Sequence, residues 1–97
     1  MKVRYTQPAL ADLDDILTFI AERSPSGAER VKASVRSPER ILAEHPLAGR
    51  QTRLRWLRRI DAPRHPYAVL YEVDGDDVVI HAVRHGSRRP SSMPGGG

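Results

Sequence analysis

Apolar residues change their spacing near the middle of the chain, from intervals of three and four residues to intervals of two. Between Leu10 and Ile20 they recur at the helical interval and aspartates occupy the opposite side, which predicts an amphipathic helix of about four turns. A start signal at Pro8 and a breaker cluster after Arg23 bound this helix. The preceding residues, "KVRYT", alternate and are rich in β-formers, so we expect a short strand that begins near Lys2.

A second helix is predicted after the breaker cluster "SPSG". Ser26 and Glu29 have the spacing of a capping box, which places the helix start at Ser26. Ala28, Val31 and Val35 then form the apolar side of the helix. The first half of the chain therefore predicts a strand followed by a helical hairpin.

Pro38 interrupts the second helical pattern, because proline lacks an amide hydrogen and its ring clashes with the preceding turn. The sequence leaves two possibilities open. Either the helix kinks at Ser37, or a new helix starts with Ser37 as its cap and Pro38 in its first position. In both cases Pro46 and Gly49 end the helical half of the chain.

Three strands are predicted in the second half. The segment "RLRWLRRI" places Leu54, Trp56 and Ile60 on one face, and "YAVLYEV" and "VVIHAVR" follow as apolar strands. The turn "DGDD" joins the last two strands, and Asp74 and Gly75 are expected to supply its positive φ angles. The predicted fold class is therefore α+β, with an N-terminal strand, a helical hairpin and then a three-stranded antiparallel meander whose edge the first strand joins.

Both faces of the last two strands carry apolar residues, whereas an antiparallel sheet with one solvated face alternates between polar and apolar positions. Two helices can cover only one face. The other face is therefore predicted to be open and to need a partner or an oligomer, unless flanking side chains shield it. The alternation assigns Tyr67, Val69, Tyr71 and Val73 to one face and Ala68 and Leu70 to the other, with Val78 and Ile80 opposing Val79 and Val83.

Length and composition narrow the class of protein. The 97 residues have room for one domain, which we place at residues 1–90, with residues 91–97 as a disordered tail. The chain has no cysteine, which excludes disulfides and thiolate zinc sites. No apolar stretch approaches the ~20 residues of a membrane span and the N-terminus lacks a signal-peptide core, so a cytoplasmic location is expected. No metal site and no cofactor are predicted.

Positive charge is concentrated in the second half of the chain. Residues 1–49 carry seven Lys or Arg and seven Asp or Glu, whereas residues 50–97 carry nine against five and so hold the whole net charge of +4. From Arg50 to Arg64 there are six arginines and a single acid, Asp61. Such a patch attracts phosphate or carboxylate groups, and the alternative is a solvated face without a partner.

The order of these elements, together with three segments, resembles the ParE toxins of the RelE/ParE superfamily of type II toxin-antitoxin systems. The segments are the helix opening "PALADLDDILTFIAE", the strand "HPYAVLYEV" and the strand exit "VRHGSRRP". The resemblance covers residues 2 to about 90. It implies a RelE/ParE-like fold and a toxin that forms a hetero-oligomer with a cognate ParD-like antitoxin, whose C-terminal segment wraps the toxin.

The resemblance leaves two modes of action open, because ParE relatives poison DNA gyrase and RelE relatives cut mRNA on the ribosome, and the two share a fold. RNA cleavage at the 2′-hydroxyl requires a base, an acid and cations that stabilise the phosphorane, with an aromatic surface for the splayed nucleobase. The candidates are Arg59, Arg64 and Arg84 as phosphate clamps and His85 as the proton carrier. However, no aromatic residue follows Tyr71, no lysine cluster precedes the strands, and arginine is a poor base.

The sequence therefore favours a non-enzymatic inhibitor of gyrase that acts through protein contact, with mRNA endonuclease activity as the alternative. The predicted target contacts are Arg58, Arg59, Arg64, Arg84, His85, Arg88 and Arg89. The predicted antitoxin contacts, on the helical hairpin and the apolar sheet face, are Leu13, Leu17, Ile20, Tyr67, Val69 and Tyr71. A basic nucleic-acid-binding module and a purely structural subunit are less consistent with a sequence that shows no recognition helix with clustered basic residues.

Overall fold

A computed structural model of the chain describes residues 1–86, which fold into three helices and a five-stranded sheet. The helices are α1 (Gln7–Ala21), α2 (Pro25–Arg36) and α3 (Pro38–Glu44), and the strands are β1 (Lys2–Tyr5), β2 (Arg50–Gln51), β3 (Arg58–Asp61), β4 (Tyr67–Asp74) and β5 (Asp77–His85). The strand order is β1-β5-β4-β3-β2, with β1 parallel to β5 and every other pair antiparallel. The predicted α+β fold class is confirmed, and the short strand β2 was not predicted. Arg88, Arg89 and the predicted tail lie outside the described residues.

The first two helices begin at residues whose side chains cap them. Thr6 caps α1, where its Oγ1 accepts a hydrogen bond from an amide of the first turn at 3.2 Å. The predicted capping box at Ser26 is wrong, because Ser24 is the N-cap of α2 and its Oγ accepts a hydrogen bond from the Gly27 N–H at 3.0 Å. Pro25 explains the difference, since proline is favoured in the first position of a helix, where no amide hydrogen is needed.

Pro38 separates α2 from α3. Of the two possibilities left by the sequence, the structure shows a new helix that begins at Pro38. Ser37 keeps helical backbone angles, with φ −54° and ψ −40°, and its side chain makes no capping hydrogen bond. Pro38 and Leu42 are both buried, so α3 turns its apolar side toward the core.

The strand predicted for "RLRWLRRI" is shorter than expected. β3 begins at Arg58, and residues 52–57, here called the Trp56 loop, form a turn ahead of it. The Thr52 hydroxyl lies 2.9 Å from the Leu57 carbonyl oxygen and accepts a hydrogen bond from the Leu54 N–H at 3.1 Å. Apolar residues alternate with arginine here as they would in a strand. A loop that packs on a sheet gives the same pattern, because it also buries leucine and exposes arginine.

The turn between β4 and β5 contains two residues, and Gly75 supplies a φ of +60° as predicted. The prediction of a positive φ at Asp74 is wrong. Asp74 ends β4 in extended pairing with Asp77. The other positive φ among the described residues is that of Arg64, +68°, in the turn between β3 and β4.

Other parts of the chain pack against both faces of the sheet. The helices cover one face, where Val69, Tyr71, Val78, Ile80 and Val83 pack with residues of all three helices. The Trp56 loop covers part of the other face, where Leu57 and Leu54 pack on Leu70 and Ala82. Ala68 and Val79 are buried as well. The prediction of an open sheet face is therefore wrong, because the Trp56 loop, which had been predicted as a strand, packs on that face.

A bulge at His81 reverses the alternation of side chains along β5. Leu70 pairs with Ala82 and Tyr71 pairs with Ile80, so His81 is an extra residue in the ladder. Val83 consequently lies with Ile80 on the helix side, and the prediction that it opposes Ile80 is wrong.

Candidate functional site

The end of β5 gathers several of the predicted target contacts at one end of the sheet. The Gly86 N–H donates to the Pro66 carbonyl oxygen at 2.5 Å, which joins the strand end to the turn that contains Arg64. Nη2 of Arg59 reaches the same point and donates to the Gly86 carbonyl oxygen at 3.2 Å. A Cβ atom on Gly86 would lie 3.2 Å from the Pro66 oxygen and 3.3 Å from Arg59 Nη2, so glycine permits this close approach.

Arg58 does not join this group, because neighbouring residues of a strand point to opposite faces. Nη1 of Arg58 donates to the Gly49 carbonyl oxygen at 2.7 Å, and the residue pairs with Tyr71, which belongs to the helix side. Arg59 lies on the opposite face and forms an ion pair of 2.9 Å with Asp61. The structure therefore separates two adjacent arginines that the sequence had grouped.

A groove of about 520 Å³ lies between α1 and the end of β5. It combines an apolar lining with carboxylates on the helix side and with cationic or titratable groups on the strand side. We call it the α1–β5 groove, and its lining residues are Asp12, Asp15, Ile16, Phe19, Tyr67, Val83, Arg84 and His85. Phe19 contributes the most exposed aromatic ring, with 59% of its surface accessible.

Asp12 binds the free edge of β5 beside this groove. β1 pairs with β5 only as far as Ile80, and α1 then takes over the exposed edge. Oδ2 of Asp12 accepts a hydrogen bond from the Val83 N–H at 3.0 Å and forms an ion pair with the Arg84 guanidinium. The carboxylate thus satisfies a strand-edge donor and compensates the charge of Arg84 with one oxygen.

His85 lies against an aromatic ring in the groove. The ring centroids of Tyr67 and His85 are 5.7 Å apart and the ring planes meet at 75°. This neighbour was not predicted, because an aromatic residue was expected after Tyr71 and Tyr67 precedes it. Counting back from the two-residue turn would pair Tyr67 with Arg84, and only the bulge shifts the partner to His85.

The predicted antitoxin contacts differ in accessibility. Leu13, Val69 and Tyr71 are buried in the helix-side core, so their side chains offer no surface to a partner in this conformation. The reason is that the sheet face chosen as open is the one beneath the helices. Leu17, Ile20 and Tyr67 are partly buried. The exposed large apolar side chains of the described residues lie elsewhere: Met1, Leu10, Phe19, Ile41, Leu47 and Trp56.

Within residues 1–86, no group of three or more histidine, aspartate or glutamate side chains is arranged to hold a metal ion. Across the same residues no helix combines the length and the apolar character needed to cross a membrane.

The family model described as "ParE toxin of type II toxin-antitoxin system, parDE" matches residues 3–90. The chain belongs to the ParE toxin family. This ParE-family protein is therefore a toxin of a type II toxin-antitoxin system within the wider ParE/RelE group.

Two relatives of this ParE-family protein are themselves named as toxins. It is 34% identical over 84 residues to the Sinorhizobium fredii protein named "Putative toxin Y4kP", covering 87% of this chain and 86% of the relative. It is 33% identical over 87 residues to "Toxin RelE2" of Caulobacter vibrioides, covering 90% and 97%. These names establish the toxin family and leave the molecular target open.

Solved structures agree with the fold. A chain of a chromosomal ParDE TA system from P. aeruginosa superposes with a TM-score of 0.77 at 23% identity, covering 88% of this chain and 95% of the other. A chain of the RelBE2 toxin-antitoxin complex from Mycobacterium tuberculosis superposes with a TM-score of 0.56 at 27% identity, covering 87% and 95%. The ParE-family protein thus shares its architecture with chains solved from toxin-antitoxin systems.

Proposed function

We propose that this ParE-family toxin arrests bacterial growth in the cytoplasm by poisoning DNA gyrase through protein contact, and that a ParD-like antitoxin neutralises it by binding in the α1–β5 groove. The position of Asp12 is the observation that favours gyrase over mRNA as the target. Its carboxylate binds Arg84, and Asp15 lines the same groove.

These two carboxylates make the groove a poor place for phosphodiester chemistry. A nuclease clamps the scissile phosphate with cations whose charge is available to the transition state. Here a phosphate that approached Arg84 would compete with Asp12 for the guanidinium and would be repelled by both carboxylates. Neither of the two lysines of the chain, Lys2 and Lys32, lines the groove to serve as a base.

Endonuclease activity remains the second candidate because of one specific contact. Tyr67 and His85 form an edge-to-face pair beside Arg84, and this pair supplies the aromatic surface that was not found in the sequence after Tyr71. In that mechanism His85 would carry the proton and Tyr67 would support the base. The relative named RelE2 belongs to the same group of toxins.

The shape of the groove favours a helical antitoxin segment. Ile16, Phe19 and Val83 offer apolar contacts, as a groove that accepts an amphipathic helix does. A strand could add to the edge of β5 at this point only by displacing Asp12 from the Val83 N–H. A helix with one basic side chain facing Asp15 and one acidic side chain facing His85 would match the charges of the groove.

Induction in a bacterial host separates the two candidates. Poisoning of gyrase predicts DNA-damage signalling and filamentation with translation continuing, whereas mRNA cleavage predicts rapid translation arrest with cuts at defined codon positions. Translation arrest that precedes any DNA-damage signal would contradict the gyrase proposal and support the second candidate.

Charge reversal tests whether the end of β5 takes part. Arg84→Glu should abolish toxicity, because it removes a cation from the strand end and places two carboxylates side by side. Arg4→Glu is the matched control, since Arg4 on β1 forms a comparable ion pair of 3.3 Å with Asp77 at the start of β5, and it should leave toxicity unchanged. If Arg84→Glu folds, as judged by circular dichroism, and remains toxic, the strand end has no part in the mechanism.

A further inference from the structure

The face of the sheet opposite the helices carries a partly exposed indole ring. Trp56 is the single tryptophan of the chain and 43% of its surface is accessible. Its ring meets the His81 ring at an interplanar angle of 81° with centroids 5.2 Å apart. Nε2 of His81 lies 2.8 Å from Oε1 of Glu72, which fixes the imidazole. The indole is therefore supported from the sheet and presented to solvent.

The loop that carries Trp56 is held in place before any partner arrives. Leu57 is fully buried in the second core cluster, Thr52 bonds to the loop backbone, and Nε2 of Gln51 donates to the Arg55 carbonyl oxygen at 3.2 Å. A surface ordered in advance loses little conformational entropy on binding, which favours affinity.

The surroundings of Trp56 are cationic. Residues 50–59 contain five arginines and no acid, and Arg53 and Arg55 are both exposed within the loop. Glu72 is bonded to His81, and Asp61 forms ion pairs with Arg59 and Arg50. A ring that can stack, flanked by guanidinium groups, is the combination used by proteins that bind single-stranded nucleic acid.

We propose that the Trp56 loop binds single-stranded nucleic acid by stacking a base on Trp56 while Arg53 and Arg55 contact phosphates. A protein partner fits less well, because an interface needs an apolar centre. Among the described residues the other exposed large apolar side chains lie at the N-terminus, on α1 and α3 and in the loop after α3. The site lies on the face of the sheet opposite the helices and involves no cleavage, so it goes beyond the proposed function.

Trp56 reports on its own occupancy, because no other tryptophan contributes to the fluorescence. The full-length protein should be titrated with a single-stranded oligonucleotide of about eight nucleotides, once as RNA and once as DNA. Stacking predicts quenching of Trp56 emission with either sugar, and a preference for one of them would identify the natural source. Trp56→Ala, measured with a labelled oligonucleotide, should weaken binding about tenfold.

Two matched controls make the result decisive. Phe19→Ala removes the other exposed aromatic ring, in the α1–β5 groove, and should leave binding unchanged. Arg55→Glu should reduce the slope of log affinity against log salt by about one, whereas Arg30→Glu, on the exposed side of α2, should change it less. Equal loss in Phe19→Ala and Trp56→Ala, unchanged binding in Trp56→Ala with the fold intact, or equally strong binding of polyglutamate would each overturn the proposal.

Discussion

Asp12 is the residue that decides how the end of β5 presents its charge. It accepts one hydrogen bond from a strand-edge amide and neutralises an arginine on the same strand. Hydrogen bonds to charged groups stabilise a fold by about 1.5–3 kcal/mol each when both partners are shielded, and the partial exposure of Asp12 and Arg84 reduces that value here. A polar residue on a helix thus serves as a structural part of the neighbouring sheet.

Tyr5 is the residue expected to make the fold sensitive to alkali. Burial, reinforced by the hydrogen bond that Tyr5 Oη donates to Glu39 Oε1 at 2.5 Å, raises the pKa of Tyr5 above its usual value. The folded state therefore holds this proton more tightly than the unfolded state does. The resulting stabilisation is fully present below about pH 10 and is lost as the pH rises above it, toward the raised pKa of the folded state.

Tyr5→Phe should lower the free energy of unfolding by about 1 kcal/mol at pH 7, because it removes that hydrogen bond, and should flatten its decline above pH 10. Urea unfolding at a series of pH values measures both effects. Part of the decline should persist in the variant, since burial also raises the pKa of Tyr71. An equally steep decline in the variant and the parent would contradict the assignment to Tyr5.

Single contacts between distant residues were the hardest feature to predict from the sequence. The helical spacing correctly placed Asp12 on the polar side of α1, but nothing in that spacing shows that it meets Val83, 71 residues later. The basic strand exit was visible, yet the pairing of Tyr67 with His85 depends on a bulge that leaves no clear mark in an apolar run.

Among the elements, the connection between α3 and β2 is fixed by one tyrosine. Tyr71 Oη accepts a hydrogen bond from the Gly49 N–H at 2.9 Å and donates to the Pro46 carbonyl oxygen at 2.8 Å. A Cβ atom on Gly49 would lie 2.5 Å from Tyr71 Oη and 2.7 Å from the Arg59 carbonyl oxygen. Only glycine fits between β4 and β3 at this position.

Gly49→Ala should therefore lower the free energy of unfolding by about 2–3 kcal/mol, as overpacking of a tight site does. Chemical denaturation measures the loss. Tyr71→Phe removes the hydroxyl that would clash, so the double variant should lose less stability than the sum of the two single variants. Strict additivity would show that the alanine methyl at position 49 does not clash with the Tyr71 hydroxyl.

The elements themselves were largely predictable, because hydrophobic spacing reports which residues pack together. The strand, the helices and the hairpin follow from that spacing and from turn residues, whereas the start of α2 was displaced by Pro25 and the Trp56 loop was mistaken for a strand. In both cases the local pattern was compatible with two structures. Tertiary packing of Leu57 selected the loop.

For the whole molecule, the proposed antitoxin site predicts that neutralisation depends on an exposed aromatic residue on α1. Phe19 lines the α1–β5 groove, and the Arg23 guanidinium lies 4.1 Å from its ring centroid. Phe19→Glu should weaken binding of the antitoxin by at least about 30-fold, the loss typical of an interface hot spot. Isothermal titration calorimetry with the cognate antitoxin measures this loss.

Ile41→Glu is the matched control, because Ile41 is an exposed apolar residue on α3, away from the groove. It should leave the affinity for the antitoxin unchanged. Both variants alter solvent-exposed positions, so their melting temperatures should stay close to that of the parent. A larger loss of affinity in Ile41→Glu than in Phe19→Glu would move the docking site to α3.

The bulged strand β5 contributes residues to both the surface around Trp56 and the α1–β5 groove. His81 supports the indole on the face opposite the helices, and Val83, two positions further on, lines the α1–β5 groove on the helix face. We therefore expect substitutions in this strand to be pleiotropic: a genetic screen for loss of toxicity should recover alleles here that impair both proposed activities. Substitutions confined to α1 or to the Trp56 loop should instead affect one surface and leave the other unchanged.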